Sequence, residues 1–291
     1  MLDRFAPSLR TANATLLKQN PETLFMNKFE KRMLDILRQG KEEFGVLATK
    51  AEFEAEGTRT DELLRLLEIA NKADVGLALK VGGCEAIRDM LEAKQFGVRY
   101  IIAPMVETPY ALEKYISAKD KVYSVEDQED VSFLFNLETI TAYNNLEAML
   151  EIAASRPGCS GVVFGRVDFS SSIGAGRDGI ESEIVTKAAE ITAQACLDRS
   201  LDFIVGGAVS INALANLQRF KAIHLDRFET RKVVFSGSAL DSPDLAKALR
   251  QAVHFELLWL LNKREYYGLM HREDQARIQM LQDRWKVLED S

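Results

Sequence analysis

Between residues 44 and 235, short β-rich runs alternate with helical patterns, and this rhythm limits the chain to few folds. The β-rich runs fall at 44–50, 75–81, 98–104, 132–138, 161–165, 202–205, 221–224 and 231–235. Between them, apolar residues recur at helical spacing over 61–72, 84–94, 109–118, 143–155, 180–198 and 211–219. Strands separated by helix-length connections run parallel, because a crossover must carry the chain back to its starting edge. Eight such strands close into a (β/α)8 TIM barrel, the fold expected here. An open doubly wound sheet is the other solution, and it usually carries GxGxxG after its first strand. Here the first run leads into Lys50-Ala51-Glu52-Phe53-Glu54, without those glycines.

Helices flank the repeat. The spacing of Leu24, Phe25, Phe29, Met33 and Ile36 predicts a helix over 21–40, with Asn20 as cap, Pro21 in the first turn and Gly40 as the stop. From about residue 244 the pattern is helical throughout, with Val253, Leu257, Leu258, Leu261 and Leu269 as an apolar stripe and Trp259, Tyr266 and Tyr267 as large surfaces. The chain is expected to form a single domain over 1–291, with the barrel at about 41–262 and a C-terminal helical extension at about 263–291. A closed barrel leaves such an extension little core to cover, so it is expected to pack on a second subunit, giving a homo-oligomer.

Composition excludes several classes. Of the residues 47% are hydrophobic and 28% charged, the balance of a globular protein with a large core. The formal charge of −7 leaves no basic surplus for a nucleic-acid backbone. No apolar run reaches the length needed to span a bilayer, and the first ten residues lack the order of a secretory leader. Cys84, Cys159 and Cys196 form no CxxC pair, which suits reduced thiols in a cytoplasm and small buried hydrophobes.

In this fold the chemistry sits at the C-terminal ends of the strands. Two acids stand out there. Glu138 closes the run Phe133-Leu134-Phe135, and Asp168 follows Val162-Val163-Phe164 one unit later. Neighbouring strands would place both carboxylates on one side of the barrel mouth, a hard-oxygen pair suited to Mg²⁺ or Mn²⁺. With no His or Cys nearby, zinc is disfavoured. The alternative is that each acid caps the helix it precedes. Lys80 shares a strand face with Gly76 and Ala78, leaving space below its ammonium. It would hold a substrate carboxylate or oxyanion, form a Schiff base, or make a structural ion pair. Lys50 is similar.

Glu52, Glu54 and Glu56 follow the first run, and Glu56 is expected in a solvated loop. The stretch 169–179, with Gly174, Gly176 and Gly179 around Arg177, reads as a lid, an anion-binding turn or simply a flexible loop. Gly206 and Gly207 after the sixth run would let a substrate approach the backbone. His224 ends the seventh run and is a candidate; His254 and His271 lie in helical sequence as surface or packing residues.

Together these strand ends resemble the HpcH/HpaI aldolase and citrate lyase β-subunit family of metal-dependent C–C lyases. The matching stretches are Leu79-Lys80-Val81-Gly82-Gly83, Ile101-Ile102-Ala103-Pro104-Met105-Val106-Glu107-Thr108, Phe135-Asn136-Leu137-Glu138-Thr139 and Gly161-Val162-Val163-Phe164-Gly165-Arg166-Val167-Asp168-Phe169-Ser170. The likeness covers roughly residues 45–235. It implies an oligomeric (β/α)8 barrel, often with exchanged C-terminal helices. It also implies a metal on Glu138 and Asp168, and chemistry through an enolate of pyruvate or an acyl-CoA. Departures are plain. The family's acidic–His pair after the first strand is here Glu52-Phe53-Glu54, its second-strand Arg is Lys80, and a proline usual after the fifth-strand Gly is Arg166. Lys lacks the flat bidentate fork of Arg.

The expected activity is thus an Mg²⁺- or Mn²⁺-dependent lyase or aldolase acting on a 2-oxo or related carboxylate. Lys80 would supply positive charge, Glu52 or Glu54 would orient water or move a proton, and Arg166 would bind a distal acidic group. Two alternatives stay open: a metal-free Schiff-base aldolase on Lys80 or Lys50, and a non-catalytic barrel serving as a binding or scaffold protein.

Overall fold

The computed structural model describes Thr23 and residues 25–289. The described residues fall into two compact units, one comprising 34–254 and the other those before 34 together with those from 255 on.

The first unit holds a closed barrel with strand order β1 to β8. Strands β1 (Val46–Glu52), β2 (Gly76–Lys80), β3 (Tyr100–Ala103), β4 (Ser132–Leu137), β5 (Gly161–Gly165), β6 (Asp202–Gly206) and β7 (Arg227–Glu229) pair in parallel, each with the next. The closed eight-stranded α/β barrel is as expected, but it departs from the eightfold repeat at one place. Strand β8 (Val233–Ser236) is antiparallel to both β7 and β1. A three-residue hairpin, Thr230 to Lys232, joins it to β7, and that is too short for a crossover helix.

The run 221–224, expected as the seventh strand, belongs instead to the end of a helix. The helices between strands are α2 (Thr60–Lys72), α3 (Ile87–Gln95), α4 (Pro109–Val122), α5 (Ile140–Asn144), α6 (Leu146–Ala154), α7 (Arg166–Ser172), α8 (Glu183–Leu197) and α9 (Leu214–Ile223). The single helix expected over 143–155 is two, broken at Asn145, whose Nδ2 turns to donate to the Glu107 carbonyl at 2.9 Å.

Helix α1 (Lys28–Phe44) starts later and ends later than expected. Asn20, Pro21 and Leu24 lie outside the described residues. Asn27 is the cap: its Oδ1 accepts from the backbone N–H of Phe29 and Glu30, and Glu30 Oε2 accepts from Asn27 N. Gly40 is helix interior, not a stop. A Cβ there would lie 2.7 Å from Val46 Cγ2, so glycine is needed for the helix to lie against the start of β1. The stop is Gly45, at φ +64°.

The barrel is filled, not hollow. Ala48, Ala78, Ile102, Leu134, Val163, Ile204 and Val234 form one buried cluster, one residue from every strand but β7. Alternation then fixes what lies above this plug. Two positions on along the parallel strands come Lys50, Lys80, Asn136, Gly165 and Gly206, and two positions back along the reversed β8 comes Lys232. Below it, Arg227 pairs with Asp202 at 2.7 Å and lies over the Tyr100 ring.

Helix α10 (Leu245–Glu289) crosses into the second unit. Within it Leu258 and Trp259 are buried, whereas Leu257, Leu260, Tyr266, Leu269, Met270, Leu281 and Trp285 are exposed. Among the described residues no helix is long and apolar enough to cross a membrane.

Candidate active site

The C-terminal rim of the barrel carries a buried set of charges. Glu138 follows β4 and is 2% exposed. Its Oε1 accepts from the Met105 N–H at 2.9 Å and its Oε2 from Asn136 Nδ2 at 2.7 Å. Met105 takes a left-handed φ of +51° to present that N–H. Glu138 does not cap the following helix. Thr139 does, accepting from Ala142 N, while also donating to Glu107 Oε1 at 2.8 Å. Burial raises the Glu138 pKa and Asp168 adds to that, against the opposing pull of Lys80 and the two hydrogen bonds.

Asp168 stands in the first turn of α7, on the neighbouring strand's loop, with its side chain exposed. Space beside Glu138 comes from Gly165: a Cβ there would sit 2.7 Å from Glu138 Cβ and 2.8 Å from its Oε2.

Lys80 Nζ lies 3.1 Å from Glu54 Oε2 and 4.0 Å from Glu138 Oε2. Lys50 Nζ contacts Glu229 Oε1 directly and lies 3.4 Å from Glu52 Oε1. Burial alone would lower the Lys50 pKa, but Glu229 and Glu52 outweigh it and raise the value. For Glu52 burial again opposes the charge, yet Lys50, Lys80, Arg231 and Lys232 hold its pKa down. Glu229, Lys50, Glu52, Lys80 and Glu138 therefore alternate in sign around the rim, all buried. Buried ion pairs seldom add stability over apolar packing, so such a row is better explained by chemistry than by folding.

With Glu54 on Lys80 and Asp168 beside them, the carboxylates of this rim outnumber the ammonium groups of Lys50 and Lys80. That balance, together with the buried Asn136 Oδ1 that has no partner among the described residues, suits a divalent cation. Among the described residues no group of three or more His, Cys, Asp or Glu side chains is arranged to hold a metal. A cation here would rest on two protein carboxylates with water completing its shell, the usual habit of Mg²⁺.

Other expectations need correction. Arg166, taken as a binder of a distal acidic group, is 1% exposed and turned into the protein. Its Nη1 donates to both Glu181 oxygens at 3.0 and 3.1 Å, and its Nη2 donates to the Gly207 carbonyl at 2.8 Å. The space over Gly206 is taken by Glu229, with Oε1 3.1 Å from where a Cβ would be. Gly207, at φ +82°, lies against the backbone of Arg166 and Val167. Both glycines thus admit protein groups.

Glu56 is not a solvated residue. It holds the buried Lys232, at 2% exposed, and Arg231. His224 lies at the opposite rim, its Nε2 2.9 Å from the Leu201 carbonyl ahead of β6. His254 is exposed in α10. In the stretch 169–179, Ser170 Oγ donates to the Gly176 carbonyl at 2.6 Å, so the loop carries an internal tie. The sequence pattern does not single out Glu229, because the run 221–224 stands in for β7, nor Lys232, which falls within the expected run 231–235 and not at a strand's C-terminal end.

Solved structures share the fold. An HpcH/HpaI aldolase from Desulfitobacterium hafniense DCB-2 is 16% identical, with TM-score 0.55 over 75% of this chain and 88% of its own. An HpcH/HpaI aldolase/citrate lyase family protein from Burkholderia cenocepacia J2315 is also 16% identical, with TM-score 0.56 over 77% of this chain and 89% of its own. A citrate synthase variant gives TM-score 0.52 at 16% identity, over 81% and 90% of the two chains. No curated protein compared with the chain matches it. The model of the HpcH/HpaI aldolase/citrate lyase family matches residues 54–220, leaving out β1 and the β7–β8 hairpin. That match spans more than half of the 291 residues, and the chain belongs to this family of carbon–carbon lyases.

Proposed function

We propose that the barrel mouth cleaves or forms a carbon–carbon bond through the enolate of a 2-oxo acid or related carboxylate, assisted by Mg²⁺ or Mn²⁺. The observation that carries this reading is the buried Glu138 at the end of β4, beside Lys80 and within the electrostatic reach of Asp168 in the turn after β5. Glu138 and Asp168 would hold the cation. When bound, the cation supplies a Lewis-acid charge sink for oxygen.

The chain's own groups do the rest. Asn136 and the Met105 N–H fix the orientation of Glu138. Lys80, held between Glu54 and Glu138, places a positive charge where the enolate's negative charge develops. Glu52 and Glu54 flank the two lysines as proton acceptors. The Schiff-base alternative is disfavoured because Lys80 and Lys50 are each engaged by carboxylates, and the cation would supply the electron sink that an imine otherwise provides. The substrate is a small carboxylate, and the exposed part of α10 is assigned to contact with a second copy.

Calorimetric titration tests the cation site. Glu138→Gln and Asp168→Asn should each weaken Mg²⁺ binding while circular dichroism stays unchanged. Wild-type affinity in both variants sinks the assignment.

A further inference from the structure

Glu229 lies outside the matched region and has no role in the reading above. It is the last residue of β7, it is buried, and its carboxylate meets Lys50 Nζ directly. It packs closely over Gly206, where a Cβ would lie 3.1 Å from its Oε1. Every element around Lys50 presents a charged group. Glu229 comes from β7 and Glu52 from β1 itself, and beyond Glu52 stands Lys80 of β2. From the hairpin just ahead of β8, Lys232 Nζ approaches the Lys50 carbonyl at 3.4 Å, held by Glu56, which also binds Arg231. An ammonium has three N–H donors, and two carboxylates leave one for another acceptor. Proton donor and proton acceptor therefore stand side by side, 3.4 Å apart, in a nearly dry site.

We propose that Lys50 and Glu52 are the proton donor and acceptor of this site, with Glu229 as the positioning residue that holds the Lys50 ammonium. The inference rests on the 2-oxo acid reading above. Cleavage requires a 2-oxo acid with a hydroxyl two carbons beyond its carbonyl. Glu52 takes the hydroxyl proton, the O–H electron pair becomes the new carbonyl, and the pair of the broken C–C bond becomes the enolate. Lys50 then gives a proton to the enolate carbon: N–H breaks, C–H forms and the 2-oxo carbonyl returns. The proton on Glu52 passes to the Lys50 amine, which restores both groups. Nothing but substrate is consumed.

The protonation step can be run backwards alone. The protein with Mg²⁺ and pyruvate in D₂O is followed by NMR for loss of methyl hydrogens, between about pH 6 and pH 10. In this direction the Lys50 amine is the base, so exchange should quicken as pH rises. Lys50→Met should slow exchange by roughly 10²–10⁴-fold. Glu229→Gln removes a carboxylate that keeps Lys50 charged, so exchange near pH 8 should become faster than wild type. The gain is about tenfold for each unit by which the lysine titrates earlier. Glu229→Asp should restore the wild-type profile. A merely structural Glu229 cannot produce a gain, and this arm decides the matter if Lys50→Met fails to fold. Wild-type exchange with an unshifted Glu229→Gln profile, or with a folded and fully active Lys50→Met, overturns this inference alone. No exchange by wild type with either Mg²⁺ or Mn²⁺ overturns the proposed function, and this inference with it.

Discussion

Asn136 Nδ2 donates to Glu138 Oε2 at 2.7 Å, and in doing so Asn136 leaves its own Oδ1 buried and unpartnered among the described residues. A buried amide oxygen without a donor costs about 1–3 kcal/mol. The arrangement becomes favourable if that oxygen meets a cation or a cation's water. Asn136→Leu removes both the orphan and the orienting bond. It also strips the buried Glu138 Oε2 of that donor, so stability in chelator should stay close to wild type, while Mg²⁺ binding should weaken about 10–100-fold. Melting curves with and without Mg²⁺ read both effects, and equal cation-induced stabilisation in the two proteins would refute the role.

Lys80 separates two chemistries. Facing Glu54 at 3.1 Å, it is held as a charge partner and not as a nucleophile. Lys80→Arg should retain part of the activity. Lys80→Met should lose most of it, on the order of 2–4 kcal/mol in barrier, as for other lost oxyanion donors. Mass spectrometry after borohydride treatment with pyruvate, with and without chelator, provides the check. A stable adduct on Lys80 in chelator would promote the Schiff-base mechanism.

How far the sequence could be read depended on where each charge finds its partner. Strands β2 to β6 each carry a short apolar run, and β1 begins with one, because both faces of each are covered. Strand β7 is only Arg227-Phe228-Glu229, with its two charges satisfied inside the barrel by Asp202 and Lys50. A run with one apolar residue carries no alternation signal, and the apolar end of α9 resembles a strand more closely. Glu229 was lost with it, and His224 was put at the wrong rim. The positions of Glu138, Asp168 and Lys80 at the C-terminal rim are legible because acids and bases that close or follow an apolar run are visible without knowing their partners. The fates of Glu56 and Arg166 were not, because Lys232 and Glu181 reach them only after the barrel closes.

Alkaline pH should weaken the fold. Burial pushes the Cys196 thiol up to about 12 from an ordinary 9.0. Cys159 is pushed up to about 12 as well, and burial raises the Tyr115 hydroxyl well above its ordinary value. Above pH 9 the unfolded chain sheds thiol protons that the native state still holds. The unfolded state then binds fewer protons, so stability falls as pH rises. Each such thiol contributes up to about 1.4 kcal/mol per pH unit between the two values. Urea midpoints at pH 8, 9 and 10 should therefore decline. In Cys196→Ala the decline should be shallower, whatever the offset from the lost side chain. Parallel slopes in the two proteins would contradict the argument.

The exposed part of α10 should be an interface between copies. Beyond residue 263 its side chains are largely exposed, yet they include Tyr266, Leu269, Met270, Ile278, Leu281, Trp285 and Leu288. Trp285 alone is 64% exposed. A continuous helix holds its shape without tertiary contacts only marginally in water, so a stretch this apolar needs a cover to persist. A closed point group gives the same surface on each copy, and the helix of one is the natural cover for that of the next. Full-length protein should sediment as an oligomer at micromolar concentration. Truncation before Arg272 should reduce the oligomer's size or solubility. Replacing Leu281 and Trp285 with Gln, which preserves the helix, should raise the dissociation constant without changing the barrel's near-ultraviolet signal beyond the lost tryptophan. A monomeric full-length chain under these conditions would eliminate the interface.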